Sequence, residues 1–207
     1  MIKFLNCKIN LSEKVFQPRI ETEFWVGKAI KELRSKNKEL RILDIFAGTG
    51  CIGIAVLKNI EKARVDFVDI SKEAIEQIKI NIKLNKIEKN KYKIYKSNLF
   101  ENLKGKEYDF IFANPPYVAL NRIKEVQKEV LEKDPEKSLF AGKDGMFCIE
   151  RFLKKVKSHL KPEGFFYLEF DPKQKEKIKK ILEERGFKFS FRKDQFRKFR
   201  WLRAKSS

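Results

Sequence analysis

The sequence predicts an α/β fold, a mostly parallel sheet with helices on both faces, and two observations predict it. Short apolar runs rich in branched and aromatic residues alternate with segments whose apolar residues recur at helical spacing, the pattern of strands joined by crossover helices. The glycine-rich and proline-rich motifs directly follow such runs, and in open sheets of this kind ligands bind beyond the carboxyl ends of the strands.

The elements follow in order. "LRILDIFA" (40–47) reads as a buried strand, and "GTGCIGIAVLKN" as a helix with Ile52, Ala55, Val56 and Ile60 on one side. "RVDFVDI" (64–70) is a second strand, and Ser71 is the N-cap of a helix carrying Ile75, Ile78, Ile82 and Leu84. "KYKIYKS" (91–97) and "YDFIFAN" (108–114) are the third and fourth strands, and "MFCIERFLKKVKSHL" (146–160) is a helix ended by "KPEG". "FFYLEF" (165–170) is a fifth strand, "KQKEKIKKILEERG" a helix closed by Gly186, and "FKFSF" and "FRKFRWLR" the last two strands. A chain of 207 residues makes one domain of this size.

Composition removes several classes of function. No apolar run reaches the roughly 18 to 20 residues of a membrane span, and "MIKFLNCKIN" lacks the apolar core and cleavage site of a signal peptide. The expectation is a cytoplasmic protein with no membrane contact. Cys7, Cys51 and Cys148 are far apart, with no CxxC spacing and a lone histidine, His159, which fits neither zinc nor a disulfide framework. His159 reads as a structural or surface residue. The net charge of +19 suggests an anionic partner such as RNA, the ribosome or an acidic protein face. Most lysines are scattered as on solvated faces, but Lys173 to Lys205 holds 14 basic and 4 acidic residues.

Two loops carry chemistry. In "LDIFAGTGCIG", Gly48 and Gly50 let the backbone approach a ligand, and the following helix offers its positive end. Asp69 closes the second strand 19 residues after Gly50, the spacing at which a carboxylate accepts from ribose hydroxyls. Asp44 either orients a cofactor amino group or holds the loop. In "IFANPPYVAL" (111–120), Asn114 offers a side-chain carbonyl, Pro115 a backbone carbonyl, and neither Pro115 nor Pro116 an N–H. With Tyr117 at its edge, this acceptor-rich corner suits a planar NH2 group. The loop alone does not distinguish an amide from an adenine.

Together, Asp44 to Gly50, Asp69 and "NPPY" resemble the class I S-adenosylmethionine-dependent methyltransferases that modify NH2 groups. More narrowly, "QPRIETEFWV" (17–26) is similar to the "PRPETE" signature of the protein-(glutamine-N5) methyltransferases of peptide chain release factors. "DPEKSLFAGKDGM" (134–146) and "FFYLEFDPKQ" resemble two further segments of that family. The likeness runs from about Phe4 to Trp201.

The resemblance implies a Rossmann-like, seven-stranded sheet. It also implies S-adenosyl-L-methionine as cofactor, S-adenosyl-L-homocysteine as product, and no metal. Cofactor contacts are implied at Asp44, Phe46, Ala47, Gly48, Thr49, Gly50, Asp69, Ile70, Asn98, Leu99 and Asn114, and catalytic roles at Asn114, Pro115, Pro116 and Tyr117. Residues 1–38 become a segment covering substrate and cofactor, and 39–207 the core. The family's usual helical domain is not represented before the match, so a stand-alone catalytic domain is expected.

The chain departs from the pattern at Phe46 and Ala47, where glycine and a small polar residue are common, at Ile20 for proline, and at Asn98 for aspartate. The implied reaction is methylation of the glutamine of a release factor's GGQ motif, with RNA or ribosome contact through the basic C-terminal region. The alternatives are a ribosomal-protein glutamine, the amino group of adenine in RNA or DNA, and a non-enzymatic cofactor-binding module.

Overall fold

A computed structural model of the chain describes residues 1–36, 38–125, 135 and 139–206, with the backbone alone at 123–125. A small antiparallel hairpin, β1 (Ile2–Phe4) and β2 (Cys7–Ile9), precedes helix α1 (Ile20–Arg34). Then come β3 (Leu40–Ile45), α2 (Cys51–Asn59), β4 (Ala63–Asp69), α3 (Lys72–Leu84), β5 (Tyr92–Lys96) and β6 (Tyr108–Ala113). The chain closes with α4 (Phe147–Lys155), β7 (Leu160–Glu169), α5 (Lys175–Glu184), β8 (Phe187–Lys193) and β9 (Phe199–Ser206).

Seven strands form one sheet in the order β5-β4-β3-β6-β7-β9-β8. The first five in that order pair in parallel, and β9 runs antiparallel to both β7 and β8. The expected class I methyltransferase architecture is therefore present. Strand order reverses at β3: the chain leaves it toward β4 and β5, then returns to lay β6 on its other side. A crevice opens where the loops after β3 and β6 diverge.

The period-two alternation of strands sorts residues onto two cores. Ile42, Val65, Phe67, Phe110, Phe112 and Tyr167 pack with α1, α2 and α3 on one face. Leu43, Ile45, Val68, Ile111, Phe166 and Leu168 pack with α4 and α5 on the other. By the same parity Asp44, Asp69, Asn114 and Glu169, at or just past the ends of β3, β4, β6 and β7, belong to the face that α1 covers.

Local signals hold at several ends. Ser71 caps α3, its hydroxyl accepting from the Ala74 N–H at 3.1 Å, and α5 ends at Gly186 with φ +67°. The helix expected over 146–160 stops earlier, because a 3-10 turn follows α4 and β7 already begins at Leu160. The hairpin and α1 have no counterpart among the sequence-based assignments.

That N-terminal part is attached by polar contacts. At the C-cap of α3, Asn85 accepts from the Lys8 N–H and donates to its carbonyl (3.1 and 2.7 Å), while Asn81 within the helix does the same to Asn10 (2.7 and 3.2 Å). Gln77 accepts from the Glu13 N–H at 2.8 Å. Side chains four apart share a helix face, so three buried amides clamp the extended segment the way a neighbouring strand would.

Helix α2 lies so close to β4 that a Cβ on Gly53 would fall 2.3 Å from the Phe67 ring, which is itself fully buried. Gly53→Ala is predicted to destabilise the fold by about 1–3 kcal/mol through overpacking, read as a lower urea midpoint.

Candidate active site

The crevice at the sheet's reversal is a cavity of about 800 Å³, within the roughly 300–1,000 Å³ of small-molecule sites. Its floor is the loop between β3 and α2. Phe46, Ala47, Gly48 and Thr49 line it, and α2 begins directly beneath, with Cys51 and Ile52 also on the wall. Gly48 has φ +52°, and a Cβ built there would meet nothing within 4 Å. The space over its backbone is thus open to a ligand. Phe46, where the family commonly has glycine, also adopts a positive φ of 62°. The left-handed backbone is kept without the glycine that would take it freely, at a cost of order 1–3 kcal/mol. Its ring contacts Phe152, 6.4 Å between centroids.

Asp69 joins floor to wall. One carboxylate oxygen accepts from the Gly48 N–H and the other from the Ser71 N–H, both at 2.9 Å. The Ile70 N–H also bonds this carboxylate, and since an ionised carboxylate has about four acceptor positions, acceptor capacity remains for a ligand hydroxyl. Burial raises its pKa. Ile70, 63% exposed, adds an apolar surface beside it.

Asp44 lies under the loop and does not line the cavity. Its Oδ2 accepts from the Gly53 N–H at 2.8 Å, within the first turn of α2, while its buried Oδ1 has no hydrogen-bond partner among the described residues. Burial pushes its pKa up to about 8. Gly50, with φ +74°, ends the loop. Asn98 and Leu99 also sit off the cavity wall: Asn98 donates to Glu101 at 3.0 Å, and Leu99 is buried against the α4–α5 core. Lys96, two residues before Asn98, reaches the wall instead.

The opposite wall is the loop after β6, with Asn114, Pro115, Pro116 and Tyr117 all lining the cavity. Segments from across the chain hold it. The Tyr117 hydroxyl donates to Glu169 Oε1 at 3.0 Å. Glu169 Oε2 accepts from the Thr22 hydroxyl and the Trp25 indole N–H, at 2.7 and 2.6 Å, and Asn114 Nδ2 lies 3.4 Å from that hydroxyl oxygen. Gln174 donates to the Tyr117 carbonyl at 2.9 Å. Gly145, with φ +76°, is packed so tightly that a Cβ would fall 2.2 Å from the same carbonyl oxygen. Ala141 donates to Val118, and Val118 to Leu139.

All the quoted segments therefore meet at one loop: "PRIETE" through Thr22, "GKDG" through Gly145, and "LEFDPKQ" through Glu169 and Gln174. Of the 134–146 segment, positions 134 and 136–138 lie outside the described residues. Sequence reasoning assigned no role to Thr22, Trp25, Gly145, Glu169 or Gln174. Each lies within a segment quoted above for its resemblance, and Glu169 also stands out as a carboxylate in an otherwise apolar strand, "FFYLEF". Burial raises the pKa of Glu169 and, with the adjacent Glu169 charge, that of Tyr117.

Other expectations land away from the cavity. His159 contacts the Lys106 carbonyl through Nδ1 at 2.9 Å and stacks on Phe100 at 4.4 Å, a structural role. The basic C-terminal stretch forms α5, β8 and β9, and several of its cations cover rings: Lys175 over Phe199, Arg192 over Trp201, Arg203 over Phe165.

The raised pKa of Asp44 carries a stability prediction. Unfolded Asp titrates near ~4, and the folded chain holds this proton up to about 8. The protonated group's contribution is complete below pH ~4 and is lost as pH rises through 8. Stability should fall across that window, and Asp44→Asn, whose amide still accepts from Gly53, should show a shallower fall in urea midpoints between pH 5 and 8.5.

The model of the methyltransferase small domain matches residues 28–139. Among curated relatives, the release factor glutamine methyltransferase of Aquifex aeolicus is 34% identical over 87% of this chain and 63% of its own length. That of Borreliella burgdorferi is 34% identical over 89% of this chain and 63% of its own. The chain thus spans less than two thirds of these relatives. Among solved structures, the ribosomal protein L11 methylase of Lactobacillus delbrueckii subsp. bulgaricus superposes with a TM-score of 0.66 at 22% identity, covering 93% of this chain and 81% of that one. With a glycine loop under one wall of the crevice and an Asn-Pro-Pro-Tyr loop forming the other, this chain belongs to the methyltransferase small domain family.

Proposed function

We propose that this chain methylates the side-chain amide nitrogen of the glutamine in the GGQ motif of peptide chain release factors, using S-adenosyl-L-methionine. The observation that carries the reading is the acceptor corner of Asn114 and Pro115 opposite the Gly48–Asp69 floor of one cavity. The open space over Gly48 and the lone pairs left on Asp69 fit the cofactor's nucleoside and amino-acid parts. Phe46 and Ile70 offer apolar surface to its base. When bound, S-adenosyl-L-methionine supplies a methyl group activated on a sulfonium sulfur.

The chain's own contribution is position and polarity. A glutamine amide nitrogen is a poor nucleophile because its lone pair is conjugated with the carbonyl. Two hydrogen bonds, to Asn114 Oδ1 and to the Pro115 carbonyl, orient that nitrogen and favour the positive charge it gains during transfer. Tyr117, held by Glu169 through its hydroxyl, packs its ring along the amide plane. Asn114 is neutral and takes no proton, which leaves to solvent or backbone.

The similarity to release factor methyltransferases supports the substrate assignment, and the proposed site of action is the cytoplasm. For RNA or ribosome contact we propose the turn between β8 and β9, where Phe196 is 57% exposed and Arg197 and Lys198 face solvent.

The deciding experiment is incubation with labelled methyl donor and a release factor, beside the same factor with the GGQ glutamine changed to alanine. Label on the first alone is expected, with one added methyl by mass spectrometry. Equal labelling of both rejects the substrate, and labelling of RNA but not protein assigns adenine. Asn114→Ala should lower turnover about 100-fold or more while donor binding by calorimetry stays within a few-fold.

A further inference from the structure

We infer that Glu169 and Thr22 are positioning residues that fix which way round Asn114 sits, holding its carbonyl oxygen toward the cavity so that the site accepts a donor NH2 group and rejects an oxygen acceptor. The inference rests on the proposed methylation of an NH2 nitrogen and names what enforces that choice.

The argument is one of hydrogen-bond direction. An indole N–H can only donate, so Trp25 Nε1, 2.6 Å from Glu169 Oε2, marks that oxygen as an acceptor. The Thr22 hydroxyl, 2.7 Å from the same oxygen, gives it its single proton. What Thr22 then presents to Asn114, 3.4 Å away, is a lone pair. Only Nδ2 of the amide can meet a lone pair, so Oδ1 is turned the other way, toward the cavity that Asn114 lines. The opposite orientation would set two acceptors against each other with no proton between them.

The relay is well insulated. Glu169 and Trp25 are fully buried and Thr22 is 1% exposed. The third donor to Glu169, the Tyr117 hydroxyl, falls on Oε1 and leaves the direction at Oε2 unchanged. The long 3.4 Å link is of the kind that tightens once substrate is in place.

A glutamine side chain offers two N–H donors to Oδ1 and the Pro115 carbonyl. A glutamate carboxylate in the same place offers only acceptors and would face two acceptors. Selectivity against the acid analogue therefore arises one step behind Asn114, in Thr22 at the inner edge of the cavity and in the buried Glu169 that directs its proton.

The test compares Thr22→Val, which keeps the shape and removes the hydroxyl, with Thr22→Ser, which keeps the hydroxyl. Thr22→Ala serves if the valine does not fold. With saturating donor, Thr22→Val should lower kcat roughly tenfold, the equivalent of one lost hydrogen bond, with donor affinity unchanged. Thr22→Ser should recover most of the loss. Inhibition by a release factor carrying glutamate in the GGQ motif should strengthen in Thr22→Val relative to wild type. Wild-type kcat in Thr22→Val, or equal loss in Thr22→Ser, would overturn the inference. If the wild type proves to label adenine instead, the substrate reading fails, and the same valine and serine pair, run on that NH2 substrate, still decides the relay.

Discussion

One buried carboxylate organises the working end of this molecule. Glu169 sits at the end of β7 with no exposure to solvent and three donors on its two oxygens. A buried carboxylate is tolerated only when it is hydrogen-bonded, and burial alone raises its pKa. The donors that satisfy it come from α1 and from the loop after β6, parts of the chain 52 to 147 residues away. Satisfying one group therefore docks α1 onto the sheet and stands the Asn-Pro-Pro-Tyr loop at the cavity wall. Removing the carboxylate would leave three donors unpaired in the interior, each costing about 1–3 kcal/mol.

The cofactor side of the crevice is built on a second principle, backbone conformation held against its preference. Phe46 occupies the left-handed region that glycine would enter freely, and Asp69 ties the loop through the Gly48 N–H. Asn81 reaches from α3 to the Thr49 carbonyl while also binding Asn10. One side chain thus ties the glycine loop at Thr49 to the N-terminal segment at Asn10.

Much of this was legible in the chain, for identifiable reasons. The central parallel strands announced themselves because they are buried on both faces and read as continuous apolar runs, β6 being buried at every residue. The glycine loop, Asp69 and the Asn-Pro-Pro-Tyr loop were legible because their chemistry depends on residue type at a strand end. The hairpin and α1 escaped: β1 and β2 are three residues each, and α1 carries charged residues around Trp25, Val26, Ala29 and Ile30. Asn98, in place of the family's usual aspartate, and Leu99 turn their side chains to Glu101 and to the core. The alternation of strand and helix, and the motifs at their boundaries, were properties of local sequence.

By itself the sequence determined the α/β class, the strand ends at which chemistry sits, and the acceptor character of the Asn114 corner, since periodicity and functional groups are local. Only the tertiary structure decided that Thr22, Trp25, Gly145, Glu169 and Gln174 converge on that corner, and that the direction of the Glu169 hydrogen bonds turns Asn114 toward the cavity. Hydrogen-bond direction is a property of atoms brought together from distant positions, and no spacing along the chain encodes it.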